Sequence, residues 1–214
     1  VPDRFAMLQS YLCLAPVIPV VTIDDARASI DLAHALLEAG LPAIEITLRT
    51  PQALDAINAI AKALPDAVVA AGTVLHRSQI SEVIDAGAKF IVTPGTPVQL
   101  AEHLSEAAIP VMPGCATVSE AMTLASLGFE ALKFFPAAVS GGAAWLKSVQ
   151  GPLPTLTFCP TGGIDLASAP SYLSLSNVPC VGGTWITPRE ALKSGDFAAI
   201  GRLAAEASGL RKAA

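Results

Sequence analysis

Lys133 stands in the run Ala131-Leu132-Lys133-Phe134-Phe135-Pro136, an ammonium-bearing side chain inside a stretch that otherwise reads as buried β-strand. Successive side chains of a strand point to opposite faces, so Ala131, Lys133 and Phe135 share one face and Leu132 and Phe134 the other. Neither face suits water. Apolar surroundings strip hydration from a charged amine and favour its neutral form, which is a nucleophile toward a carbonyl. A second polar residue of the same kind is Glu45, in Ala43-Ile44-Glu45-Ile46-Thr47-Leu48-Arg49. Alternation sets Glu45, Thr47 and Arg49 opposite Ile44, Ile46 and Leu48, so the polar set points into the interior. An inward carboxylate is costly unless it pairs with a cation or moves protons, and Lys133 is a candidate partner across that interior. A Glu45–Lys133 or Glu45–Arg49 ion pair with no chemistry fits the same pattern.

The remaining polar candidates stand where predicted strands end. Thr73 directly follows Ala71-Gly72 and is placed to touch a ligand. Pro160-Thr161-Gly162-Gly163 and Gly182-Gly183-Thr184 read as paired glycine turns that set backbone N–H groups beside hydroxyls, an arrangement suited to phosphate or a similar anion. Thr96 and Thr117 fit turn and capping chemistry. His34, His76 and His103 lack metal-ligand spacing and a carboxylate cluster, so no metal site is expected. Cys13, Cys115, Cys159 and Cys180 lie far apart with no C-x-x-C pair and read as buried thiols.

Eight short runs rich in Val, Ile and Ala must carry these residues: 17–22, 43–48, 67–71, 90–93, 109–112, 132–135, 157–159 and 178–181. Their starts are spaced by roughly 20 to 26 residues, the length of one strand, one helix and two short loops. The segments between them carry helix signals. Thr50-Pro51, Thr96-Pro97 and Thr187-Pro188 each read as an N-cap hydroxyl before a first-turn proline, and Thr117 with Glu120 reads as a capping box. The first such helix is expected to bury Ile30, Ala33 and Leu37 and to stop at Gly40. Eight βα units can close as a barrel or lie open as a doubly wound sheet. No G-x-G-x-x-G follows the first strand, which favours an α/β fold of the (β/α)8 TIM barrel type, one domain over 1–214 with a short helical segment before the first strand. The active site then lies at the C-terminal ends of the strands.

The 214 residues, 52% hydrophobic and 14% charged, suffice for a substantial core, and the scarcity of aromatics (5%) suits a parallel sheet covered by helices. A net charge of -5 with no basic cluster argues against nucleic acid or an anionic membrane as partner. The most apolar run, 11–23, is broken by Pro16 and Pro19 and is too short to span a bilayer, and no signal peptide is read at the N-terminus, so a cytoplasmic protein is expected.

Taken together, Glu45-Ile46-Thr47-Leu48-Arg49-Thr50, Ala71-Gly72-Thr73-Val74, Lys133-Phe134-Phe135-Pro136-Ala137 and Phe158-Cys159-Pro160-Thr161-Gly162-Gly163 resemble the 2-keto-3-deoxy-6-phosphogluconate (KDPG) aldolase family over nearly the whole chain. The resemblance implies a class I, Schiff-base aldolase of the Entner-Doudoroff pathway, a homotrimer needing no cofactor. Its substrates would be KDPG, cleaved to pyruvate and glyceraldehyde 3-phosphate, and 4-hydroxy-2-oxoglutarate, cleaved to pyruvate and glyoxylate. It casts Lys133 as the imine-forming amine, Glu45 as proton shuttle, and Arg49 and Thr73 as contacts to the oxo-acid carboxylate. Pro94 and Phe135 become apolar walls, and Thr161, Gly162, Gly163, Gly183 and Thr184 the phosphate seat. Two positions depart from the family pattern: Thr184 stands where serine is expected, and Ala138 where an acid often follows Phe-Phe-Pro-Ala. Two other readings use the same residues. Lys133 could hold the aldehyde of a pyridoxal-phosphate-like cofactor whose phosphate sits on the glycine loops, or the barrel could bind metabolites with Glu45 and Lys133 as a structural pair.

Overall fold

Residues 3–210 are described by a computed structural model. A helix α1 (Arg4–Leu12), capped by the Asp3 carboxylate, which accepts from the Phe5 N–H, precedes β1 (Val17–Val21). The chain then alternates: α2 (Ser29–Glu38), β2 (Ala43–Thr47), α3 (Ala53–Ala63), β3 (Val68–Gly72), α4 (Ser78–Asp85), β4 (Phe90–Val92), α5 (Val98–Ser105), β5 (Val111–Met112), β6 (Gly114–Cys115), α6 (Val118–Ser126), β7 (Ala131–Phe134), α7 (Gly142–Val149), β8 (Thr157–Pro160), α8 (Ala169–Leu173), β9 (Val181–Gly183), α9 (Arg189–Ser194) and α10 (Phe197–Ser208). A 3-10 turn, Ala26–Ala28, leads into α2.

Every strand pairing is parallel, in two curled sheets ordered β5-β4-β3-β2-β1-β9 and β6-β7-β8. A parallel bridge from Thr161 to Gly182 joins the end of β8 to β9. On the other side only Pro113 separates β5 from β6, and its carbonyl accepts from the Lys133 N–H at 2.9 Å. The ladder is interrupted there because proline has no N–H to donate.

Side-chain alternation sorts the core into two layers. Ile18, Ala43, Ala70, Phe90, Val92, Met112, Ala131, Cys159 and Cys180 form the inner layer between the curled sheets, with Leu8 and Leu12 of α1 packed among them. Ile44, Ile46, Val69, Ala71, Ile91, Leu132, Phe134 and Phe158 face outward and meet the helices. Behind the lysine strand, Trp145 of α7 stacks on Phe134 (4.3 Å between centroids, 9° between planes) and meets Phe158 edge-on (5.6 Å, 89°), which locks α7 onto β7 and β8.

Several local expectations change. The fifth strand does not end at residue 112 in a loop: Gly114–Cys115 forms β6, because the break is one residue wide. The last strand is not 178–181 but Val181–Gly183, so Gly182 and Gly183 pair with Ile18 and Pro19 of β1 rather than forming a turn. Glycine is needed there for room, since a Cβ on Gly182 would overlap Thr161 and one on Gly183 would overlap the Trp185 ring. At the three Thr-Pro pairs the helices begin later, at Ala53, Val98 and Arg189, and no threonine cap is formed. Thr50 instead donates to the Ile23 carbonyl and Thr96 to that of Gly114. The Thr117/Glu120 capping box is present. Helix α2 buries Leu32, Ala33 and Leu36, while Ile30 lies toward solvent, because the first turn points its side chain away from the sheet.

Candidate active site

Strand β2 carries Glu45 and β7 carries Lys133 on their inward faces, and the two side chains meet. Lys133 Nζ donates to Glu45 Oε1 at 2.8 Å and Oε2 at 3.1 Å, with the side chains 5% and 3% exposed. The partners come from different sheets. Beneath them lie Ala43, Ala70, Ala131 and Cys159, so the charges satisfy each other in apolar surroundings. The Phe135 ring, half-buried at the end of β7, has its centroid 5.6 Å from Nζ.

Small residues make this geometry possible. Glu45 rests against Gly72 of the neighbouring strand, where a Cβ would overlap its Oε1 and Cγ. Gly114, the register partner of Lys133, lies so close to Thr93 and Pro94 that a Cβ would overlap their backbone. Neither glycine is among the candidate residues read from the sequence. The only available signal was glycine within an otherwise strand-like run, which marks a close approach.

Every other site candidate lies at the same, C-terminal end of the strands. Arg49 follows β2 with an exposed side chain that makes no hydrogen bond or ion pair among the described residues, so its guanidinium is available to a ligand. Thr47, fully buried below it, donates to the Val21 carbonyl at 3.0 Å and shares a hydrogen bond with Thr22 at 2.9 Å. Thr73 follows β3 with φ +60°, a left-handed backbone that a β-branched residue adopts at a cost of about 1–3 kcal/mol. Backbone strain of this kind gathers at ligand sites. Pro94 follows β4 and is half-buried.

The loops after β7 and β8 are zipped together: Ala137 N–H donates to Thr161 O at 2.8 Å and Ala138 N–H to Gly162 O at 3.0 Å. Gly162 (φ +99°) and Gly163 (φ +74°) form a true turn, and a Cβ on Gly163 would overlap that of Ala138. Thr161 is buried, Gly163 and Thr184 are exposed, and the Thr161–Gly182 bridge brings the two loops side by side. Gly183 departs from the expected turn, being part of β9 with Gly182. A cavity of about 1040 Å³ does not reach Lys133 or Glu45. It opens beside the ends of β1 and β9, lined by Val20, Thr22, Thr184 and Leu192 among others. The Lys133–Glu45 ion pair lies outside this cavity and is buried, whereas the charged groups that line the cavity are exposed.

Among the described residues no group of three or more His, Cys, Asp or Glu could hold a metal ion, and no helix is long and apolar enough to cross a membrane. Cys115 is buried beside Glu120, and burial pushes its thiol up to about 12.

The family model "KDPG and KHG aldolase" matches residues 8–203. The chain belongs to this aldolase family. It is 44% identical over 199 residues to the KHG/KDPG aldolase of Escherichia coli (strain K12), covering 93% of each chain. It is 42% identical over 207 residues to the 2-dehydro-3-deoxy-phosphogluconate aldolase of Zymomonas mobilis, covering 97% of this chain and 98% of the relative. Among solved structures, the KDPG aldolase from Legionella pneumophila, with pyruvate captured as a covalent carbinolamine intermediate, superposes with a TM-score of 0.92. It is 40% identical over 94% of this chain and 98% of that one.

Proposed function

We propose that this family member is a class I aldolase that cleaves KDPG to pyruvate and glyceraldehyde 3-phosphate, and 4-hydroxy-2-oxoglutarate to pyruvate and glyoxylate. The observation that carries the reading is the 2.8 Å contact between Lys133 Nζ and Glu45, sealed from solvent at the open ends of the strands. The relatives' names and the carbinolamine captured in the Legionella enzyme support it.

Lys133 first passes a proton along its hydrogen bond to Glu45 and attacks the C2 carbonyl as a neutral amine. The carbinolamine takes a proton from Glu45 and loses water, leaving an iminium. Glu45, again a carboxylate, accepts the C4 hydroxyl proton directly or through water as the C3–C4 bond breaks. The bonding pair flows into the iminium, giving an enamine of pyruvate and releasing the aldehyde. Protonation at C3 and hydrolysis then return pyruvate and the free lysine. Arg49 grips the C1 carboxylate with its planar fork, the Thr73 hydroxyl adds a contact, and Pro94 and Phe135 wall the carbon chain. Thr161, Gly162, Gly163, Gly183 and Thr184 receive the phosphate.

We read residues 1–214 as one (β/α)8 barrel domain, with β5 and β6 as a single strand broken at Pro113 and the Thr161–Gly182 bridge as its second seam. A homotrimer working in the cytoplasm is proposed on family resemblance, and sedimentation of the purified protein tests the assembly.

Borohydride reduction in the presence of pyruvate, followed by peptide mass analysis, tests the chemistry. A pyruvate-derived adduct on Lys133 is expected, with activity unchanged by chelator because the iminium is the electron sink. An adduct elsewhere, or none, overturns the mechanism.

A further inference from the structure

Glu45 belongs to the six-stranded sheet and Lys133 to the three-stranded one, so their contact requires the two sheets to be held in fixed relation. At the Pro113 break the sheet ladder does not continue from β4 to β6. A hydroxyl cluster spans the seam instead. The Gly114 N–H donates to Thr93 Oγ1 at 2.8 Å, Thr96 Oγ1 donates to the Gly114 carbonyl at 3.0 Å, and the two hydroxyls bond to each other at 2.7 Å. With the Thr96 proton committed to that carbonyl, Thr93 donates to Thr96 and uses a lone pair for the Gly114 N–H. Both backbone polar groups of Gly114 are thus held from the end of β4. Gly114 is the register partner of Lys133, and Thr93 is fully buried.

We propose that Thr93 is a positioning residue for the reaction: through Gly114 it sets the height and angle at which β7 presents Lys133 to Glu45. The proposal rests on the aldolase reading above. Thr93 touches no reacting atom in that scheme, and its hydroxyl stands in for a missing rung of the sheet. Valine has the same shape but neither accepts nor donates. It would leave the buried Gly114 N–H unsatisfied, and β6 with β7 would shift to relieve it. A displacement of about 1 Å at a reacting group costs on the order of a hundredfold in rate.

The test compares Thr93→Val and Thr93→Ser with the parent protein in KDPG cleavage and in the rate of borohydride trapping with pyruvate. Thr93→Val is expected to lower kcat and the trapping rate together by about ten- to hundredfold, with KM changed less than about threefold, and Thr93→Ser to restore both to within about threefold. A Thr93→Val protein that folds and keeps kcat within threefold overturns the proposal. So does a Thr93→Ser protein as slow as the valine variant, since the hydroxyl would not be the agent. If Thr93→Val fails to fold, Thr96→Val breaks the same cluster from its other end. A kcat loss beyond threefold there upholds the proposal and parental kcat overturns it. Failure of the aldolase reading shows separately, as a parent protein that traps no pyruvate.

Discussion

Lys133 and Glu45 are 88 residues apart in sequence and on different sheets, yet each is the other's hydrogen-bonding partner, buried from solvent. Removing either partner strands a charge. Lys133→Met is expected to abolish activity and to cost about 3–5 kcal/mol of unfolding free energy at neutral pH, because Glu45 is left buried alone. The double variant Lys133→Met/Glu45→Gln should recover much of that stability and none of the activity. Denaturant unfolding of the three proteins checks both statements.

Gly72→Ala acts on the same pair without touching either member. Its methyl group would occupy the space of the Glu45 carboxylate, so a stability loss of about 1–3 kcal/mol is expected from overpacking. The kcat should fall by at least about tenfold as Glu45 is displaced from Lys133. Steady-state kinetics beside thermal unfolding separates the two effects.

Arg49→Ala should spare the lysine chemistry and weaken the hold on the oxo acid. Charge-assisted hydrogen bonds contribute about 1.5–3 kcal/mol, so KM is expected to rise about ten- to hundredfold with a smaller change in kcat. Arg49→Lys should recover little, since an ammonium cannot make the paired contact of a guanidinium.

The cysteines give a pH-dependent readout. Burial raises the Cys115 thiol from 9.0 to about 12, so its neutral form is favoured by the fold. The corresponding stability is fully present below pH 9, and it is lost as pH rises through about 12. At pH 8 a thiol-specific chromogenic reagent should titrate only the exposed Cys13 in the native protein, and all four cysteines after denaturation. Rapid native reaction of Cys115 would contradict the burial.

Much of this site was legible in sequence because strand alternation is a strict rule. The parity of Glu45 and of Lys133 put both inside, and a buried carboxylate needs a cation. The outer and inner layers of the sheets followed from the same rule. What stayed hidden depends on contacts between distant segments. Thr50 and Thr96 looked like helix caps because a Thr-Pro pair is a local signal, but their hydroxyls bond to Ile23 and Gly114, which only the tertiary fold brings near. Gly182 and Gly183 looked like a turn, yet they are flat strand residues whose missing side chains make way for Thr161 and Trp185. The strain at Thr73 left no trace in its residue type, since nothing in a threonine announces a left-handed backbone.

The packing of Leu8 and Leu12 against Ile18, Ala43 and Phe90 closes the interior at the end away from Lys133, which leaves the C-terminal ends of the strands as the side from which a ligand reaches the Lys133–Glu45 pair. Approach from one side imposes an order on the proposed reaction. In the proposed reaction the pyruvate fragment stays bonded to Lys133, so the aldehyde departs first in cleavage, and in synthesis pyruvate loads before the aldehyde. An aldehyde that arrives early occupies the approach to Lys133, and the synthetic direction should therefore show inhibition by excess aldehyde that rising pyruvate relieves.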